Sequence, residues 1–457
     1  MCRNITTLRG LEPAATPEEV EAAARQYVRK VSGVQKTSPA TEAPFEDAVS
    51  RIATITAELL DSLPERRQPP PSLPPLGAPA SPGRRLRIAV VCITAGRPAP
   101  RPRAGVVSKG TTMRYRSLGT TGVKVSPLCL GAMMFGRMGN RDHDDSVAII
   151  HRALDTGLNF IDTADVYSAG ESEEIVGKAL AGRRDDVVLA TKFHGPMGDD
   201  PNRQGNSRRW ILRSVEDSLR RLGTDHVDIY QVHRPDTNTD LDDTLSALSD
   251  LVHQGKVRYL GSSTFPAETI VEAQWTAERR GHERFRVEQP PYSIFVRGIE
   301  ASVLPTCERY GMGVIPWSPL NGGMLTGRYR PGGPAPQTGR AARMPQRFDP
   351  ERPGVARKLD LIPQLETLAT EAGMPLPHLA LAFTLSHPAV SAAIIGPRTM
   401  DQLEGLLGAT EVTLDDDTLD AIDKLVPPGT NVNADDGGWM PPALAQAWRR
   451  RRPVGAR

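Results

Sequence analysis

Hydrophobic and polar positions follow one repeated pattern from residue 113 to residue 428, in which a short apolar run precedes a longer amphipathic segment. The short runs predict buried strands at about 127–132, 158–163, 186–192, 227–233, 257–262, 286–290, 313–317 and 390–396. Apolar residues three and four apart predict helices between them, for example over 146–156, 172–181, 208–222, 242–253 and 359–372. Eight strand–helix units predict an α/β fold, a (β/α)8 TIM barrel rather than an open doubly wound sheet.

A hairpin and a small helical domain are predicted in front of the first barrel strand. The hairpin covers Tyr115 to Val125. Within residues 1–65, Thr16-Pro17-Glu18-Glu19 combines an N-cap, a proline at the first helical position and a glutamate three residues after the cap. These features together start a helix, and Gly33 is placed to end it. A second helix is predicted from about Glu42 to Leu60.

Composition separates the remaining parts of the chain. Residues 66–112 hold many of the 41 prolines, together with arginines, and show no sustained period. This composition predicts a largely disordered linker. Residues 429–457 are predicted to be a C-terminal tail. The formal net charge is only +2, so we do not expect a nucleic-acid partner.

The cysteines predict a protein with reduced thiols and no structural metal. The four residues, at positions 2, 92, 129 and 307, form no CxxC pair and have no metal-ligand spacing. The N-terminal residues contain no apolar segment of a signal peptide. The longest apolar run with basic flanks, Ile88 to Ala95, is far shorter than the roughly 20 residues of a membrane helix. We therefore expect a cytoplasmic protein without a membrane segment.

Reactive side chains follow the predicted ends of three consecutive strands. Asp162 lies at the end of the second strand and Tyr167 follows it, while Lys192 ends the third strand and His233 ends the fourth. Catalytic groups of a parallel barrel lie at these ends. An ammonium beside a phenol stabilises the phenolate, a carboxylate orients the ammonium, and an imidazole can donate a hydrogen bond to a substrate carbonyl. Each residue alone is more often structural, and only their common order favours an active site.

The run Phe160-Ile161-Asp162-Thr163-Ala164-Asp165-Val166-Tyr167, with the later strand ends, resembles the motifs of the aldo-keto reductases. The resemblance covers about Met113 to Pro428. It implies a catalytic tetrad in which Tyr167 is the general acid, Lys192 and Asp162 tune it, and His233 orients the substrate. It also implies reduction of an aldehyde or ketone to an alcohol, and a hairpin that closes the bottom of the barrel.

The resemblance further implies a nicotinamide cofactor. No GxGxxG motif follows the first strand, so a Rossmann site is unsupported. Arg398 suits a 2′-phosphate because its planar fork binds phosphate bidentately, which favours NADPH over NADH. Thr264 replaces the family's asparagine, and Gly405 and Leu406 replace an acid and an asparagine that often contact adenine. The implied cofactor contacts are Ser263, Gln289, Trp317, Ser318, Leu320, Gly396, Arg398 and Gln402.

The front of the chain carries a second resemblance. Met1-Cys2-Arg3-Asn4 and the segment from Tyr27 to Gly33 resemble a small bacterial domain family of unknown function, which implies no chemistry. Aldo-keto reductases commonly begin with residues like Met113-Arg114-Tyr115-Arg116. We therefore expect that the enzyme needs none of the first 112 residues.

Several interpretations stay open at this level. The alternative to an enzyme is a nicotinamide-binding regulatory or interaction module with slow turnover, because the family includes channel-associated subunits. Residues 325–358 either shape substrate access or are partly disordered. The acidic run 142–145 favours a helix N-terminus over a metal site, and Asp165 is interpreted as pairing locally or capping. The oligomeric state is open. An apolar or aromatic carbonyl substrate is favoured by Phe135, Phe193, Met197, Tyr292 and Trp439.

Overall fold

The computed structural model describes residues 16–34, 37–62, 113–333, 341 and 344–453. The chain divides into two compact units, residues 1–99 and 100–457, and each unit is described by itself. The predicted linker over 66–112 lies outside the described residues, so its disorder stays a prediction.

The first unit contains two helices, as predicted: α1 (Pro17–Ser32) and α2 (Glu42–Ser62). Thr16 forms the predicted capping box, since its hydroxyl accepts a hydrogen bond from Glu19 N and the Glu19 carboxylate accepts one from Thr16 N. Gly33 ends α1 in the left-handed conformation, with φ of 70°. Local sequence signals therefore predict both ends of α1 correctly.

The apolar stripes of α1 and α2 are only partly buried within this unit. Ala24 and Val28 of α1 pack against Phe45 and Val49 of α2. A unit this small has too little interior to cover both stripes completely. Several large apolar side chains therefore remain exposed, namely Tyr27, Val31, Ile55 and Leu59.

The second unit opens with the predicted hairpin, β1 (Arg116–Ser117) and β2 (Lys124–Val125), and continues with eight parallel strands. In chain order these are β3 (Leu128–Gly131), β4 (Phe160–Asp162), β5 (Val188–Phe193), β6 (Val227–Val232), β7 (Val257–Ser263), β8 (Phe285–Gln289), β9 (Gly313–Val314) and β10 (Ala393–Ile395). They pair in the order β10-β3-β4-β5-β6-β7-β8-β9. Each strand thus lies beside its predecessor in the chain, which is the topology of a (β/α)8 barrel.

Helices alternate with the strands and share one large apolar core with them. Most of their apolar residues face this core, which explains the helical spacing in the sequence. The helices are α3 (His143–Asp155), α4 (Glu171–Leu180), α5 (Arg208–Leu222), α6 (Leu241–His253), α7 (Ala267–Arg280), α8 (Val303–Tyr310), α9 (Pro353–Glu371), α10 (Leu376–Ser386), α11 (Met400–Leu407), α12 (Asp416–Leu425) and α13 (Pro442–Ala445).

Backbone hydrogen bonds between the last strands close the ring. Ser391 N donates to Val314 O (2.8 Å) and Ile394 N donates to Pro316 O (2.9 Å), while β10 also pairs with β3. Leu118 of the hairpin is fully buried among side chains that fill the barrel interior. The predicted TIM barrel with an N-terminal hairpin is therefore confirmed.

Two helix starts differ from the prediction by three residues or more. Helix α3 begins three residues earlier than predicted, because the Asp142 carboxylate accepts hydrogen bonds from two backbone N–H groups of its first turn. The acidic run 142–145 is thus the start of a helix. Helix α9 begins with Pro353 in its first turn, so the irregular segment predicted over 325–358 ends earlier. Local capping and proline chemistry, rather than apolar spacing, determine both boundaries.

We expect a fragment that starts at Met113 to fold without the first 112 residues. The hairpin, the closed ring of strands and their covering helices all come from the chain after this point. The thermal midpoint of this fragment, measured by circular dichroism, should equal that of the barrel in the full chain. An insoluble or molten fragment beside a folded full chain would contradict the proposed domain boundary.

Candidate active site

The parallel strands bring the predicted tetrad to one end of the barrel. Asp162 ends β4, Lys192 lies near the end of β5, and backbone pairing sets Lys192 beside Gln231 of β6. His233 follows β6, and its backbone N–H donates to Phe193 O (3.0 Å). The carboxyl ends of all parallel strands lie on the same side of a barrel. Strand topology alone therefore gathers side chains that are far apart in the sequence.

Lys192 is the centre of a buried hydrogen-bond network. Its fully buried ammonium donates to Asp162 Oδ2 (2.6 Å), Thr163 O (2.7 Å) and Tyr167 Oη (3.3 Å). These three bonds use all three N–H donors of the ammonium. Burial alone would lower the pKa of Lys192, but the Asp162 carboxylate and Tyr167 outweigh burial and raise that pKa. Lys192 is therefore a cation in contact with the phenol.

Asp162 is held by two amide side chains as well as by Lys192. Gln231 Nε2 donates to Asp162 Oδ1 (3.1 Å), and Gln289 Nε2 donates to the same oxygen (2.8 Å). Gln231 was not among the residues predicted from the sequence motifs. It lies two residues before His233 and therefore on the same face of the strand, and this spacing is the signal that would have found it.

A tight turn with left-handed residues positions Tyr167 after β4. Ser168 and Ala169 have φ angles of 52° and 57°, which are uncommon for residues other than glycine. The Ser168 hydroxyl donates to Phe135 O (3.2 Å) and accepts from Met138 N (3.1 Å). Tertiary hydrogen bonds therefore hold a strained turn directly beside the phenol, as is common near functional sites.

His233 is neutral at neutral pH. Burial, together with the charges of Lys192 and Arg234, holds the pKa of His233 well below 6.5. Its ring lies edge-on to the Tyr167 ring, with centroids 5.8 Å apart. A neutral imidazole carries one N–H donor and no proton that it releases readily. The arrangement thus combines a hydrogen-bond donor, a phenol and a lysine cation.

A cavity of about 800 Å³ opens at this end of the barrel. Asp162, Tyr167 and His233 line it, whereas Lys192 is buried. The volume is that of a site for a cofactor or another small molecule. All eight implied cofactor contacts line the same cavity, namely Ser263, Gln289, Trp317, Ser318, Leu320, Gly396, Arg398 and Gln402.

The apolar wall of this cavity differs from the prediction. Four methionines, Met133, Met134, Met138 and Met344, contribute to it. Phe135 and Phe193, which we expected in the wall, are instead fully buried in the core. The wall, as far as the structure describes it, also lacks Met197, Tyr292 and Trp439. The prediction that these five residues line the pocket is therefore wrong, because apolar character does not distinguish a core side chain from a wall side chain.

Thr264, which stands where the family has asparagine, is committed to contacts within the protein. Its φ of 61° is unusual for a β-branched residue. Its hydroxyl accepts from Trp317 Nε1 (3.4 Å) and from Arg234 Nη1 (3.3 Å). The neighbouring Ser263 hydroxyl donates to Gln289 O (2.9 Å). The substitution therefore replaces an amide with a hydroxyl that supports the Trp317 ring.

Arg398 and Gln402 line the side of the cavity formed by β10 and α11. Gln402 Oε1 accepts from Arg398 N (2.8 Å), and Asn140 Nδ2 donates to Arg398 O (3.2 Å). The guanidinium of Arg398 makes no hydrogen bond or ion pair with the described residues. Gly396 leaves open space where a Cβ would lie. An unpaired guanidinium beside an open backbone fits a phosphate group.

The C-terminal segment lies against one side of the cavity mouth, since Gly438 lines the cavity. A Cβ at Gly438 would lie only 2.7 Å from the Trp317 indole, so the backbone passes close to that ring. Asp436 forms a buried ion pair with Lys358 of α9, which anchors this segment. The close approach of Gly438 to Trp317 explains why a residue without a side chain stands there.

We expected Asp165 to pair locally or to act as a cap, and it does neither. It is fully buried, and neither carboxyl oxygen has a side-chain partner among the described residues. Burial and the neighbouring Glu173 carboxylate raise the pKa of Asp165 to about 8. Glu173 itself accepts from Thr191 Oγ1 (2.6 Å) and Arg221 Nε (2.7 Å). Asp165 is therefore largely protonated at neutral pH.

Three further findings concern metals, thiols and membranes. In the described ranges, no group of three or more His, Cys, Asp or Glu residues lies close enough to hold a metal ion. Cys129 and Cys307 are buried free thiols, and the other two cysteines lie outside those ranges. None of the described helices is long and apolar enough to cross a membrane.

The fold and the cavity define a barrel protein with a ligand site at the carboxyl ends of its strands. The model of the Aldo/keto reductase family matches residues 127–427. The chain therefore belongs to the aldo/keto reductase family, and it is an oxidoreductase of a family that uses nicotinamide cofactors. The model of an uncharacterized conserved protein, DUF2277, matches residues 1–79. Both resemblances found in the sequence are thus confirmed.

Individual relatives match the barrel over most of their own length. An uncharacterized oxidoreductase, YrpG of Bacillus subtilis, is 39% identical over 69% of this chain and 96% of its own. A probable voltage-gated potassium channel subunit beta of Oryza sativa is 37% identical over 69% of this chain and 97% of its own. Norsolorinic acid reductase B of Dothistroma septosporum is 34% identical over 69% of this chain and 82% of its own.

The buried Asp165 generates a prediction about stability and pH. The pKa of Asp165 rises from 3.8 to about 8 on folding. At a pH between these two values, the carboxyl therefore keeps its proton in the folded state and has lost it in the unfolded chain. Stability from this group is therefore present at low pH and decreases as the pH rises towards 8. The asparagine of Asp165→Asn cannot ionise. The free energy of unfolding of this variant minus that of wild type should therefore be larger at about pH 9 than at about pH 5, by about 1 kcal/mol or more.

Urea unfolding of both proteins at the two pH values measures this difference. The control is Asp199→Asn, because Asp199 is exposed and its substitution should leave the pH dependence unchanged. If Asp165→Asn and wild type lose stability in parallel across this pH range, Asp165 is not a buried neutral acid.

Proposed function

We propose that the protein reduces an aldehyde or ketone to an alcohol, with NADPH as the hydride donor and Tyr167 as the general acid. The observation that carries this proposal is the hydrogen bond between the buried Lys192 ammonium and the Tyr167 hydroxyl (3.3 Å), at the edge of the cavity. In the reaction the carbonyl carbon gains a hydride and the carbonyl oxygen gains a proton, so that the C=O group becomes CH–OH.

Each tetrad residue has a separate task in this proposal. Tyr167 gives its proton to the carbonyl oxygen while negative charge develops there. The Lys192 ammonium, which Asp162 keeps charged and oriented, stabilises the phenolate that remains. Neutral His233 donates a hydrogen bond to the same carbonyl oxygen and orients it. Gln231 acts through Asp162 and is a positioning residue.

Residues at the ends of β7 and β8 and after β9 fit the nicotinamide part of the cofactor. When bound, the cofactor supplies the hydride from its nicotinamide ring. We assign the ring to the face of Trp317 and its carboxamide to Ser263 and Gln289. Gln289 Nε2 already donates to Asp162 (2.8 Å) and to Gln231 (3.2 Å). Its Oε1 is the atom left to accept a hydrogen bond from a carboxamide.

The residues after β9 and β10 fit the phosphates and the adenosine. We assign the diphosphate to two segments, one after β9 with Ser318 and Leu320 and one after β10 with Gly396. The 2′-phosphate is assigned to Arg398 and the adenosine to Gln402. Arg398 supports NADPH over NADH because its guanidinium has no protein partner in the described parts of the chain. A 2′-phosphate would give it the bidentate, charge-assisted contact that guanidinium groups favour.

A second candidate function is a nicotinamide-binding regulatory or interaction module with slow turnover. The similarity to a protein named as a probable voltage-gated potassium channel subunit beta supports this alternative. Both candidates use the same cavity and the same cofactor contacts. The rate of carbonyl reduction, rather than cofactor binding, therefore separates them.

We further propose that residues 113–428 form the catalytic domain of a cytoplasmic protein. In this organisation residues 1–65 are a separate helical domain, 66–112 a linker and 429–457 a tail. The two compact units support the division, and the free thiols of Cys129 and Cys307 are consistent with a reducing compartment. The small carbonyl substrate is the only partner that the proposal requires.

Replacement of Tyr167 by phenylalanine tests the acid role. We expect Tyr167→Phe to lower kcat for a reactive aromatic aldehyde by about 100- to 10,000-fold, because general acid catalysis contributes that much. NADPH binding, measured by fluorescence titration, should not change. The control is Tyr259→Phe, whose hydroxyl contacts Thr121 O at the hairpin end of the barrel. A wild type that binds NADPH without turnover would favour the regulatory module instead.

Replacement of Arg398 tests the cofactor preference. We expect Arg398→Met to raise KM for NADPH by about 10-fold or more, because a charge-assisted contact with the 2′-phosphate is lost. KM for NADH, which lacks this phosphate, should stay nearly constant. Arg209→Met, at an exposed position of α5, removes one positive charge elsewhere and serves as the control. Equal effects on both cofactors would contradict a 2′-phosphate site at Arg398.

A further inference from the structure

We propose that Arg234 and Arg347 form an anion-binding subsite that selects carbonyl substrates carrying a negatively charged group, a carboxylate or a phosphate. The inference rests on the proposed reductase function and names the substrate class for it. Both arginines line the cavity that Tyr167 and His233 also line. The subsite is thus part of the space that the substrate would enter.

Arg234 brings a positive charge to the cavity wall without a carboxylate partner. Its Nη1 donates to His233 O (2.6 Å), Ser263 Oγ (3.5 Å) and Thr264 Oγ1 (3.3 Å), and all three acceptors are neutral. Its guanidinium carbon lies 6.0 Å from the centre of the Trp317 ring. Nε and Nη2 make no hydrogen bond with the described residues. The side chain is therefore positioned by the protein while part of its hydrogen-bonding capacity stays available.

The nearby carboxylates are committed elsewhere. Asp162 is paired with Lys192 (2.6 Å). Glu288 is buried and accepts from Ser262 Oγ (2.5 Å) and from Phe265 N (3.1 Å). Burial raises the pKa of Glu288 to about 7, so a large share of this carboxyl is protonated at neutral pH. Neither group neutralises the guanidinium of Arg234 through an ion pair.

The segment after β9 adds positive charge to the same cavity. Residues 321–348 include five arginines and no aspartate or glutamate. Arg330 pairs with Glu366 of α9 (2.6 Å), whereas the side chain of Arg347 makes no hydrogen bond or ion pair with the described residues. Burial lowers the pKa of Arg234, and the charge of Arg347 lowers it further. Two like charges that face one cavity repel each other, and an anion between them would relieve that repulsion.

The order of strands separates this subsite from the proposed cofactor phosphates. Arg234 follows β6 and Arg398 follows β10, and these strands are opposite each other in the ring of eight. The residue before Arg234 is His233, which we assign to the carbonyl oxygen. The positive charge of Arg234 therefore lies beside the reacting carbonyl and across the barrel from Arg398. This place suits an anionic group on the substrate rather than a phosphate of the cofactor.

The test compares aldehydes that share a ring but differ in charge. We would measure kcat/KM at saturating NADPH for 4-carboxybenzaldehyde, 4-formylphenyl phosphate and the neutral methyl 4-formylbenzoate. The ratio of an anionic to the neutral aldehyde is then compared between wild type and each variant, which cancels the intrinsic reactivity of the aldehydes. We expect Arg234→Met to lower this ratio by about 10- to 100-fold, as for the loss of a charge-assisted hydrogen bond.

Two further variants are compared with Arg234→Met, one in the proposed subsite and one on the exposed surface. Arg347→Met should lower the ratio by a smaller factor, because hydrogen bonds hold the side chain of Arg234 in place whereas none with the described residues holds that of Arg347. Arg209→Met, which removes the same charge from the exposed surface of α5, should leave the ratio unchanged. A larger loss for the phosphate than for the carboxylate would identify phosphate as the preferred group, and the reverse would identify carboxylate.

The possible failures are distinguishable. If no aldehyde is reduced by wild type, the reductase function and this inference both fall. If all aldehydes are reduced and the ratio is the same in wild type, Arg234→Met and Arg347→Met, only the anion subsite is wrong. A higher KM for NADPH in Arg234→Met, with an unchanged ratio, would make Arg234 a cofactor contact. Should Arg234→Met fail to fold, an unchanged ratio in Arg347→Met alone overturns the subsite.

Discussion

The buried ion pair between Lys192 and Asp162 is the interaction on which the candidate site depends. Removing two charges from water is costly, and only close geometry with further hydrogen bonds offsets that cost. Here the ammonium uses all three donors, and the carboxylate accepts from Lys192, Gln231 and Gln289. Loss of one partner would leave an uncompensated buried charge, which costs roughly 3–5 kcal/mol in proteins. The same contacts that stabilise the pair also place a cation beside Tyr167.

The barrel topology distributes charge around a single cavity. Strands that run in parallel deliver their carboxyl ends to one face, so residues some 240 positions apart, such as Asp162 and Gln402, line the same space. The proposed chemistry uses the centre of this face, where Lys192 and Asp162 balance each other. Arg234 and Arg398 stand on opposite sides without carboxylate partners among the described residues. This arrangement gives the cavity two separate places for anionic groups.

Backbone strain is concentrated beside the cavity. Ser168, Ala169, Thr264 and Ser318 all have positive φ angles although none is glycine. Such conformations cost free energy and persist only where surrounding contacts hold them. For Thr264 the contacts are the Trp317 indole and the Arg234 guanidinium. These positions beside the cavity therefore depend on the folded barrel for their geometry, which local sequence preference would not produce.

The sequence by itself determined the order of strands and helices, the capping box of α1 and the strand ends that carry reactive groups, because periodicity and capping are local properties. Family motifs indicated in advance eight residues that prove to line one cavity. Only the tertiary structure revealed the support of Asp162 by Gln231, the isolation of Asp165 and the charge of Arg234 in the cavity wall. It also placed Phe193 in the core rather than in that wall. These outcomes depend on which side chains meet across neighbouring strands, and on how much water reaches them, and no local pattern encodes either.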